Sequence, residues 1–332
     1  MPGPARPAEE IRISNRATYW PVAPLDLVIG APLVARVLLG ATPVGRVLQG
    51  ALLGAYLGCA LRDWHDRCGV RKIAFREEFG ADGRHLVAMP GEVREAEVRR
   101  LAGRLDGELT AARVPRQELA VEVDRHLTRY IAGITGQRVR TSTAVRGFTV
   151  ARLAFPFARG ACDILSGDVA IFKDTGPFEP HIIAHEFSHR KGYWKELHAQ
   201  VLAYLSLVSS GEPVLVQSAL LERLYRNLRV LAGGDRARFQ GLVERAARRP
   251  ELRRALLEQG PPAHPVARRV DAGMRQLYDA RMRATGQAGI SDYDLGFTNF
   301  LYTFETSTTA RQAPPPAGRV HRPAAEGPPT AP

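Results

Sequence analysis

Cysteine is scarce in this chain of 332 residues, which contains only three. Cys59, Cys68 and Cys162 stand apart in the sequence and form no Cys-x-x-Cys pair. This pattern provides no disulfide framework. An odd number of isolated cysteines indicates free thiols and a reducing compartment.

Lysine is nearly absent as well, with four residues in the chain, so the net charge of +12 comes almost entirely from arginine. The arginines alternate with glutamates along predicted helices such as 92–104 and 221–249. They are not gathered in one block with aromatic residues, as a nucleic-acid-binding surface would require. We therefore predict solvated helical surfaces and no nucleic-acid partner, with part of the excess charge available to an anionic membrane surface.

Charge of either sign is sparse in residues 24–61, where only three residues are charged. As one continuous helix this stretch would rise about 57 Å, nearly twice the hydrocarbon core of about 30 Å. The Ala-Thr-Pro sequence at 41–43 offers a break near the middle. We therefore predict an apolar helical hairpin, 25–40 and 44–61, that anchors the protein in membrane lipid.

The second predicted helix of the hairpin carries Gly50, Gly54 and Gly58, a spacing that lets membrane helices approach closely. Each half is shorter than the usual span of about 20 residues, and Arg36 lies within the first half. The alternative is a soluble, glycine-rich helical pair at the membrane interface or packed on the core. A cleaved signal peptide is not expected, because the apolar run starts late and has no small-x-small cleavage site.

One motif of known chemistry is present: residues 185–189 read H-E-x-x-H. Pro180 fits a first helical turn and Gly192 a helix C′ position, so the motif is predicted to lie on a helix. Two histidines four residues apart then present both imidazoles to one point, as Zn²⁺ requires. Glu186 lies about 100° around the helix from His185, close to a water at the metal but off the ligand face. The alternative is a coincidental motif whose histidines serve the core or face solvent.

A third ligand is expected in the helix that follows the motif. The metzincin spacing requires a histidine at position 195, where Lys195 stands, so that class is excluded. Glu196 begins a Glu-x-x-Ala-Gln pattern, close to the pattern by which several glutamate-zincins supply their third ligand. His198 is the alternative ligand. Gln200, one turn beyond Glu196, could orient a histidine ligand. A four-ligand structural zinc is disfavoured, because this set leaves one position open.

The two segments 185–193 and 196–205 resemble the DUF3810 family of bacterial membrane proteins, which has the H-E-x-x-H motif of zinc metallopeptidases. That family typically reads H-E-x-A-H-Q-x-G and then E-D-E-A-N-F-L-A-Y-L. Residues 270–305, with Gly-Ile-Ser-Asp-Tyr at 289–293, resemble its closing segment. His198 and Gln200 depart from the family pattern, where glutamate and asparagine stand, but Glu196 matches. The resemblance covers about 145–305 and implies a metallopeptidase site without a substrate.

These residues predict hydrolysis of a peptide or protein substrate with Zn²⁺ as the cofactor. His185, His189 and Glu196 hold the metal, and Glu186 is the general base that later protonates the leaving amine. Tyr293 is the favoured donor to the tetrahedral oxyanion because it lies in the second family-like segment, and Tyr204 and His198 are the alternatives. A strand at 168–172 is expected to bind extended substrate as an edge strand, or else to be an ordinary core strand.

The predicted fold is α+β and mostly helical: a zincin-like catalytic domain with a short sheet, the H-E-x-x-H helix and a helical C-terminal half, preceded by the apolar hairpin. The expected regions are an N-terminal segment (1–23), the hairpin (24–62), a helical linker region (63–144), the metallopeptidase-like domain (145–310) and a disordered proline-rich tail (311–332). Strands are predicted at 84–89, 145–157 and 168–172. Further helices are predicted at 91–113, 116–134, 214–231, 235–248, 251–259, 266–284 and 292–306.

Basic residues lie on both sides of the apolar region, and a hairpin would then have both ends in the cytoplasm by the positive-inside rule. We expect a protein of the bacterial inner membrane with a cytoplasmic catalytic domain; a single crossing would reverse the side. Two other functions are compatible with the sequence. One is a zinc-binding but non-catalytic membrane scaffold or sensor, and the other is a basic cytoplasmic interaction protein with a fortuitous motif.

Overall fold

The computed structural model describes residues 9–20, 42–110, 114–146, 158–163, 165–172, 174–259 and 293–307, with a few single positions between them. Most of the predicted first hairpin helix (25–40), of the strand 145–157 and of the helix 266–284, and the whole tail 311–332, lie outside these residues. The described part is mostly helical with a few short strands, as predicted.

Strands and helices are numbered separately, each in chain order. Strands are β1 (Glu9–Arg12), β2 (Gln137–Arg140), β3 (Gly160–Cys162) and β4 (Val169–Ile171). Helices are α1 (Pro43–Cys68), α2 (Phe75–Phe79), α3 (Gly91–Glu108), α4 (Arg116–Thr135), α5 (Glu179–Arg190), α6 (Glu196–Val208), α7 (Pro213–Ala232), α8 (Arg236–Ala246), α9 (Pro250–Glu258) and α10 (Tyr293–Thr306). Single 3₁₀ turns lie at Arg16–Tyr19 and Gly176–Phe178.

The core forms where α5 and α6 pack against each other and against α4, α7 and α10. In α5 every residue except His185 is buried, and α6 is buried without interruption from Ala199 to Leu207. Helices that are buried on all sides need protein on all sides, and the amphipathic helices α4 and α7 contribute to it. Each fully buried Leu or Phe side chain contributes about 1.5–3 kcal/mol, so this packing holds α5 and α6 rigidly side by side.

The predicted helices around the core are confirmed, with ends that differ by a few residues. The largest difference is in α3, which ends at Glu108 where the sequence predicted 113. The strand predicted at 84–89 is wrong. Its backbone groups bind side chains of α10 instead of another strand: the Val87 N–H donates to Thr303 Oγ1 at 2.8 Å and the Met89 N–H to Asn299 Oδ1 at 3.0 Å.

The strands form two small sheets. β1 pairs in parallel with β2, and β3 pairs antiparallel with β4, with Gly160 opposite Ile171. The strand predicted at 168–172 is confirmed as β4, and of the two positions predicted for it the core position is observed and the edge position is wrong. Arg146 pairs with the other side of β4, donating its N–H to the Val169 carbonyl and accepting from the Ile171 N–H. Among the described residues, β3 is therefore the outer strand of this sheet.

Helix α1 contains the second half of the predicted hairpin and extends it to Cys68. Thr42 caps its start by accepting the Gly45 N–H at 3.2 Å, and nothing in 62–68 breaks the helix before Gly69. It is long and apolar enough to cross a membrane, and it is the one such helix in the described part of the chain. Only 17% of its most apolar window is buried.

Candidate metal centre

The turn between α5 and α6 brings the predicted ligands together. Helix α5 ends at Arg190, and Gly192 then adopts a φ of +92°, a conformation that glycine tolerates without strain. The Gly192 N–H donates to the His189 carbonyl at 2.8 Å and the Tyr193 N–H to the Ser188 carbonyl at 3.0 Å. This is the glycine-terminated helix end that the sequence predicted. The reversed chain then enters α6 at Glu196, beside the two histidines.

The three ligand atoms have the spacing of a tetrahedral metal site. His185 Nε2 lies 3.1 Å from Glu196 Oε2 and 3.1 Å from His189 Nε2, and His189 Nε2 lies 3.6 Å from Glu196 Oε2. Ligands about 2.0–2.1 Å from a tetrahedral Zn²⁺ lie about 3.3–3.4 Å from one another. Among the described residues this is the one group of three or more His, Cys, Asp or Glu side chains so arranged. The donor set therefore fits Zn²⁺ in chemistry and in spacing.

Hydrogen bonds on the far side of each ring leave the Nε2 atoms for the metal. The His189 Nδ1 lies 2.8 Å from the Tyr193 carbonyl oxygen, which only accepts, so Nδ1 carries the proton. The His185 Nδ1 lies 3.5 Å from the Tyr293 hydroxyl, which donates to Gln200 Oε1 at 2.7 Å. That hydroxyl is consequently free to accept from His185. Such partners fix the tautomer and ring orientation of histidine ligands.

The charges in the site favour a cation at the same point. Burial alone would lower the pKa of His189, but the Glu196 carboxylate outweighs burial and raises it to about 9. Burial would raise the pKa of Glu196, but His189 and hydrogen bonds from both histidines hold it well below its ordinary value. Glu196 is thus a half-buried anion, and a bound metal ion would replace the proton that His189 holds.

Glu186 lies next to the predicted metal ligands and close to strand β3. The Cys162 backbone N–H of β3 favours the charged form of its carboxyl and so acts to lower its pKa. A Cβ atom added at Gly160 would lie 3.1 Å from Glu186 Oε1, so glycine lets the strand approach this closely. The residue is only 6% exposed, and burial raises the pKa of its carboxyl. A raised pKa suits a carboxylate that accepts and then releases a proton near neutral pH.

Among the described residues, the edge of β3 that has no partner strand faces Glu186. The Arg159 carbonyl accepts the Phe172 N–H at 2.9 Å and the Asp163 N–H donates to the Asp168 carbonyl at 2.8 Å, at the two ends of β4. Because backbone groups alternate in direction along a strand, those of Gly160 and Cys162 point away from β4. The N–H of Cys162 lies on the side of Glu186 and favours the charged form of its carboxyl. An extended chain that paired with this edge would therefore lie beside Glu186, a position that the sequence offered as one of two roles for the neighbouring strand.

The two other predicted site residues, His198 and Tyr204, make their contacts outside the ligand cluster. His198 stacks on Phe75 with ring centroids 3.6 Å apart, and burial lowers its pKa to about 4. The ligand cluster contains Glu196 and not His198. Tyr204 accepts a hydrogen bond from Arg223 at 2.9 Å, in a buried network. Both side chains are thus engaged outside the ligand cluster.

Tyr293 and Gln200 are present at the site as a pair. Gln200 was expected to orient a histidine directly; instead its Oε1 accepts from Tyr293, and Tyr293 meets His185. The Gln200 Nε2 donates to Glu222 at 2.9 Å. This places Tyr293 on the Nδ1 side of His185, where it supports the ligand. Its oxyanion role stays a prediction.

Sequence reasoning missed the charged network behind Tyr293. The Arg226 guanidinium lies 4.7 Å from the centre of the Tyr293 ring, pairs with Glu222 at 2.6 Å and also binds Asp294. The Glu222–Arg226 spacing of four residues in α7 was the available signal. The Tyr193 carbonyl and the Cys162 N–H were also missed, because backbone groups leave no mark on a sequence.

Comparison of the chain with protein-family models, with curated proteins and with solved structures finds no match. The resemblance to the DUF3810 family and the zincin-like identity of the fold therefore stay predictions that rest on the motifs quoted above.

Proposed function

We propose that this protein is a membrane-associated, zinc-dependent peptidase. The observation that carries the proposal is the spacing of 3.1, 3.1 and 3.6 Å among the Nε2 atoms of two histidines and Glu196 Oε2. A basic interaction protein with a fortuitous motif has no reason to turn both Nδ1 atoms toward oxygen atoms and leave both Nε2 atoms facing one carboxylate. Glu186 beside this cluster adds the general base that hydrolysis needs.

His185, His189 and Glu196 would hold Zn²⁺, which when bound polarises a carbonyl and makes water more acidic. Glu186 removes a proton from the attacking water and later transfers it to the leaving amine. Burial of Glu186 keeps its pKa raised, so the protonated form is accessible at the second step. Tyr193 and Tyr293 keep the two imidazoles in place while the proton moves.

The edge of β3 is the surface that supports a peptide as substrate. An extended chain pairs with unpaired backbone groups of an edge strand, and these interactions are independent of side-chain sequence. Gly160 leaves room because it has no side chain between the strand and Glu186. A small, non-peptide substrate would have no use for such an edge.

Membrane association rests on α1, whose apolar residues are exposed instead of buried: Val44, Val47 and Leu61 are more than 60% exposed. Exposed apolar surface of this extent indicates lipid or a partner. The inner-membrane location and the cytoplasmic side of the site remain part of the proposal.

The metal ligands are tested by zinc content after dialysis against a chelator. The wild-type protein should hold about one Zn²⁺ per chain, and His185→Ala, His189→Ala and Glu196→Gln should each lower the affinity more than a hundredfold, because even outer partners of such ligands contribute 10–100-fold. His198→Gln is the matched control and should retain zinc. Zinc loss from His198→Gln with retention in Glu196→Gln would overturn the ligand assignment.

Catalysis is tested by Glu186→Gln, which keeps the shape of the side chain but removes the base. Zinc content and unfolding temperature should match the wild type, and hydrolysis of a casein-like substrate should fall by about 10²–10⁴-fold. Glu95→Gln, an exposed change in α3, should have no effect. If the wild type binds zinc and cleaves nothing, the protein is a zinc-binding scaffold or sensor instead.

A further inference from the structure

The apolar helix α1 contacts two segments of the candidate site, the end of β3 and the turn between α5 and α6. The Tyr56 hydroxyl donates to Asp163 Oδ2 at 2.8 Å. Asp163 directly follows β3, the strand in which a Cβ atom added at Gly160 would lie 3.1 Å from Glu186 Oε1. Eight residues further along α1, Trp64 stacks on Trp194, with ring centroids 5.5 Å apart and planes 13° apart.

Trp194 lies in the turn that joins the two histidines to Glu196. Arg67 adds a cation–π contact at 5.2 Å from the same ring. The helix that would enter the bilayer therefore contacts the β3–β4 turn and the metal-ligand turn directly, with no linker between membrane and site.

The length of α1 sets the height of the site above the membrane. Between Pro43 and Tyr56 the helix rises about 20 Å, less than the hydrocarbon thickness of about 30 Å. Its uncharged stretch, 47–61, rises about 22 Å and ends at Arg62 and Asp63. Leu57 and Leu61 remain 38% and 63% exposed on the face away from the catalytic unit.

The bilayer surface would then lie near Arg62 to Trp64. Tryptophan is enriched at that level of membrane helices, and the level coincides with the stacked Trp194. The metal-ligand turn is thereby placed at the surface of the bilayer. The β3–β4 turn, which Tyr56 contacts eight residues earlier in α1, lies about 12 Å deeper along the helix axis.

We propose that the substrates are polypeptides tethered to the same membrane, cut within roughly ten residues of the point where they leave the bilayer. This inference rests on the proposed peptidase function. A site fixed at the surface meets tethered chains at a high effective concentration. An extended residue spans about 3.3 Å, so a chain leaving the bilayer needs only a few residues to reach β3.

The depth of the site can be measured without catalysis. The chain has three tryptophans, so the double variant Trp20→Phe, Trp64→Phe leaves Trp194 as the only one. In vesicles its fluorescence should be quenched by lipids brominated near the headgroup and less by lipids brominated near the chain end. The Trp20→Phe, Trp194→Phe variant, which retains Trp64, shows whether α1 is in the membrane. Quenching of Trp64 without quenching of Trp194 would overturn the placement of the site.

The substrate class is tested with the full-length protein in phosphatidylethanolamine–phosphatidylglycerol vesicles. One unstructured polypeptide is supplied soluble, tethered by a transmembrane helix, or tethered with 20 polar residues inserted after the helix, a length chosen to exceed the reach of about ten residues. The tethered forms should be cut at least tenfold faster, at positions that mass spectrometry places within roughly ten residues of the membrane in both. In the third form the cut should therefore move into the insert.

Two other outcomes separate the proposals. Equal cleavage of soluble and tethered chains, or a cut that stays at the same sequence far from the bilayer, would overturn the inference on substrates and leave the peptidase function intact. Cleavage of neither form by zinc-loaded protein would overturn the peptidase function, and with it the inference.

Discussion

Helices α1 and α6 have similar apolar sequences and opposite surroundings. From Ala199 to Leu207 every residue of α6 is buried in the protein. Of the 26 residues of α1 only five are buried, among them Tyr56 and Ala60. Apolar composition alone therefore does not locate a helix. What distinguishes the two is the position of polar residues: α6 has Glu196 and Gln200 directed into the site, whereas α1 has its charges at its ends.

The difference implies two kinds of stabilisation. Truncating a buried side chain of α5 or α6 should lower the free energy of unfolding, because a cavity remains in a packed core. Exposed apolar residues of α1 should contribute little to the free energy of unfolding of the protein and much to the free energy of transfer into lipid. The predictions below separate these two contributions.

The largest expected effect is on membrane binding. Leu53→Arg together with Leu57→Arg puts two charges on the exposed face of α1, at about 2.5–3.5 kcal/mol each. The wild type should sediment with membranes after washing with high salt or alkali, and the double variant should be released. Val121→Arg, a change at a similarly exposed apolar position in α4, is the control and should stay with the membranes. Sedimentation of all three alike would mean that α1 is not the anchor.

The second prediction concerns the core. Phe187 lies between His185 and His189 in the sequence and is fully buried, so Phe187→Ala should lower the free energy of unfolding by about 3–5 kcal/mol. Leu57→Ala should lower it by less than about 0.5 kcal/mol, as is usual for surface positions. Denaturant titration in detergent measures both. Equal losses would show that α1 is a core helix of a soluble protein.

The third prediction concerns pH and the metal-free protein. The pKa of His189 is raised to about 9 in the folded state, against about 6.5 in the unfolded chain. A raised pKa stabilises the fold fully below pH 6.5 and loses that effect as the pH rises through 9. With chelator present, the free energy of unfolding should fall by on the order of 1–3 kcal/mol over this range. Glu196→Gln should flatten the dependence, since the carboxylate is the main group that raises the pKa; an unchanged slope would contradict the pairing.

The sequence allowed prediction of those parts of the site that depend on helical spacing. His185 and His189 share a face because they are four residues apart, and Glu196 follows from the glycine-terminated turn and its pattern. The strand predicted at 84–89 is wrong because the backbone N–H groups of Val87 and Met89 bind Thr303 and Asn299 of a distant helix instead of another strand. Strands of three or four residues, such as β3, are too short for a periodic signal. The partners of Glu186 and His189 are backbone groups, which only the folded chain brings close.

The smallest predicted effect decides the role of Tyr293. Its hydroxyl donates to Gln200 and lies 3.5 Å from His185 Nδ1, so Tyr293→Phe should remove one partner of a metal ligand and lower zinc affinity about tenfold, the lower end for such partners. At saturating zinc the peptidase activity should then largely recover. If Tyr293 instead donates to the oxyanion, zinc affinity should be unchanged and kcat should fall by about 10²–10³-fold, as for loss of an oxyanion donor. Chelator competition and activity at saturating zinc separate the two roles. Tyr302→Phe, a change in the same helix at a position away from the site, is the control and should alter neither value.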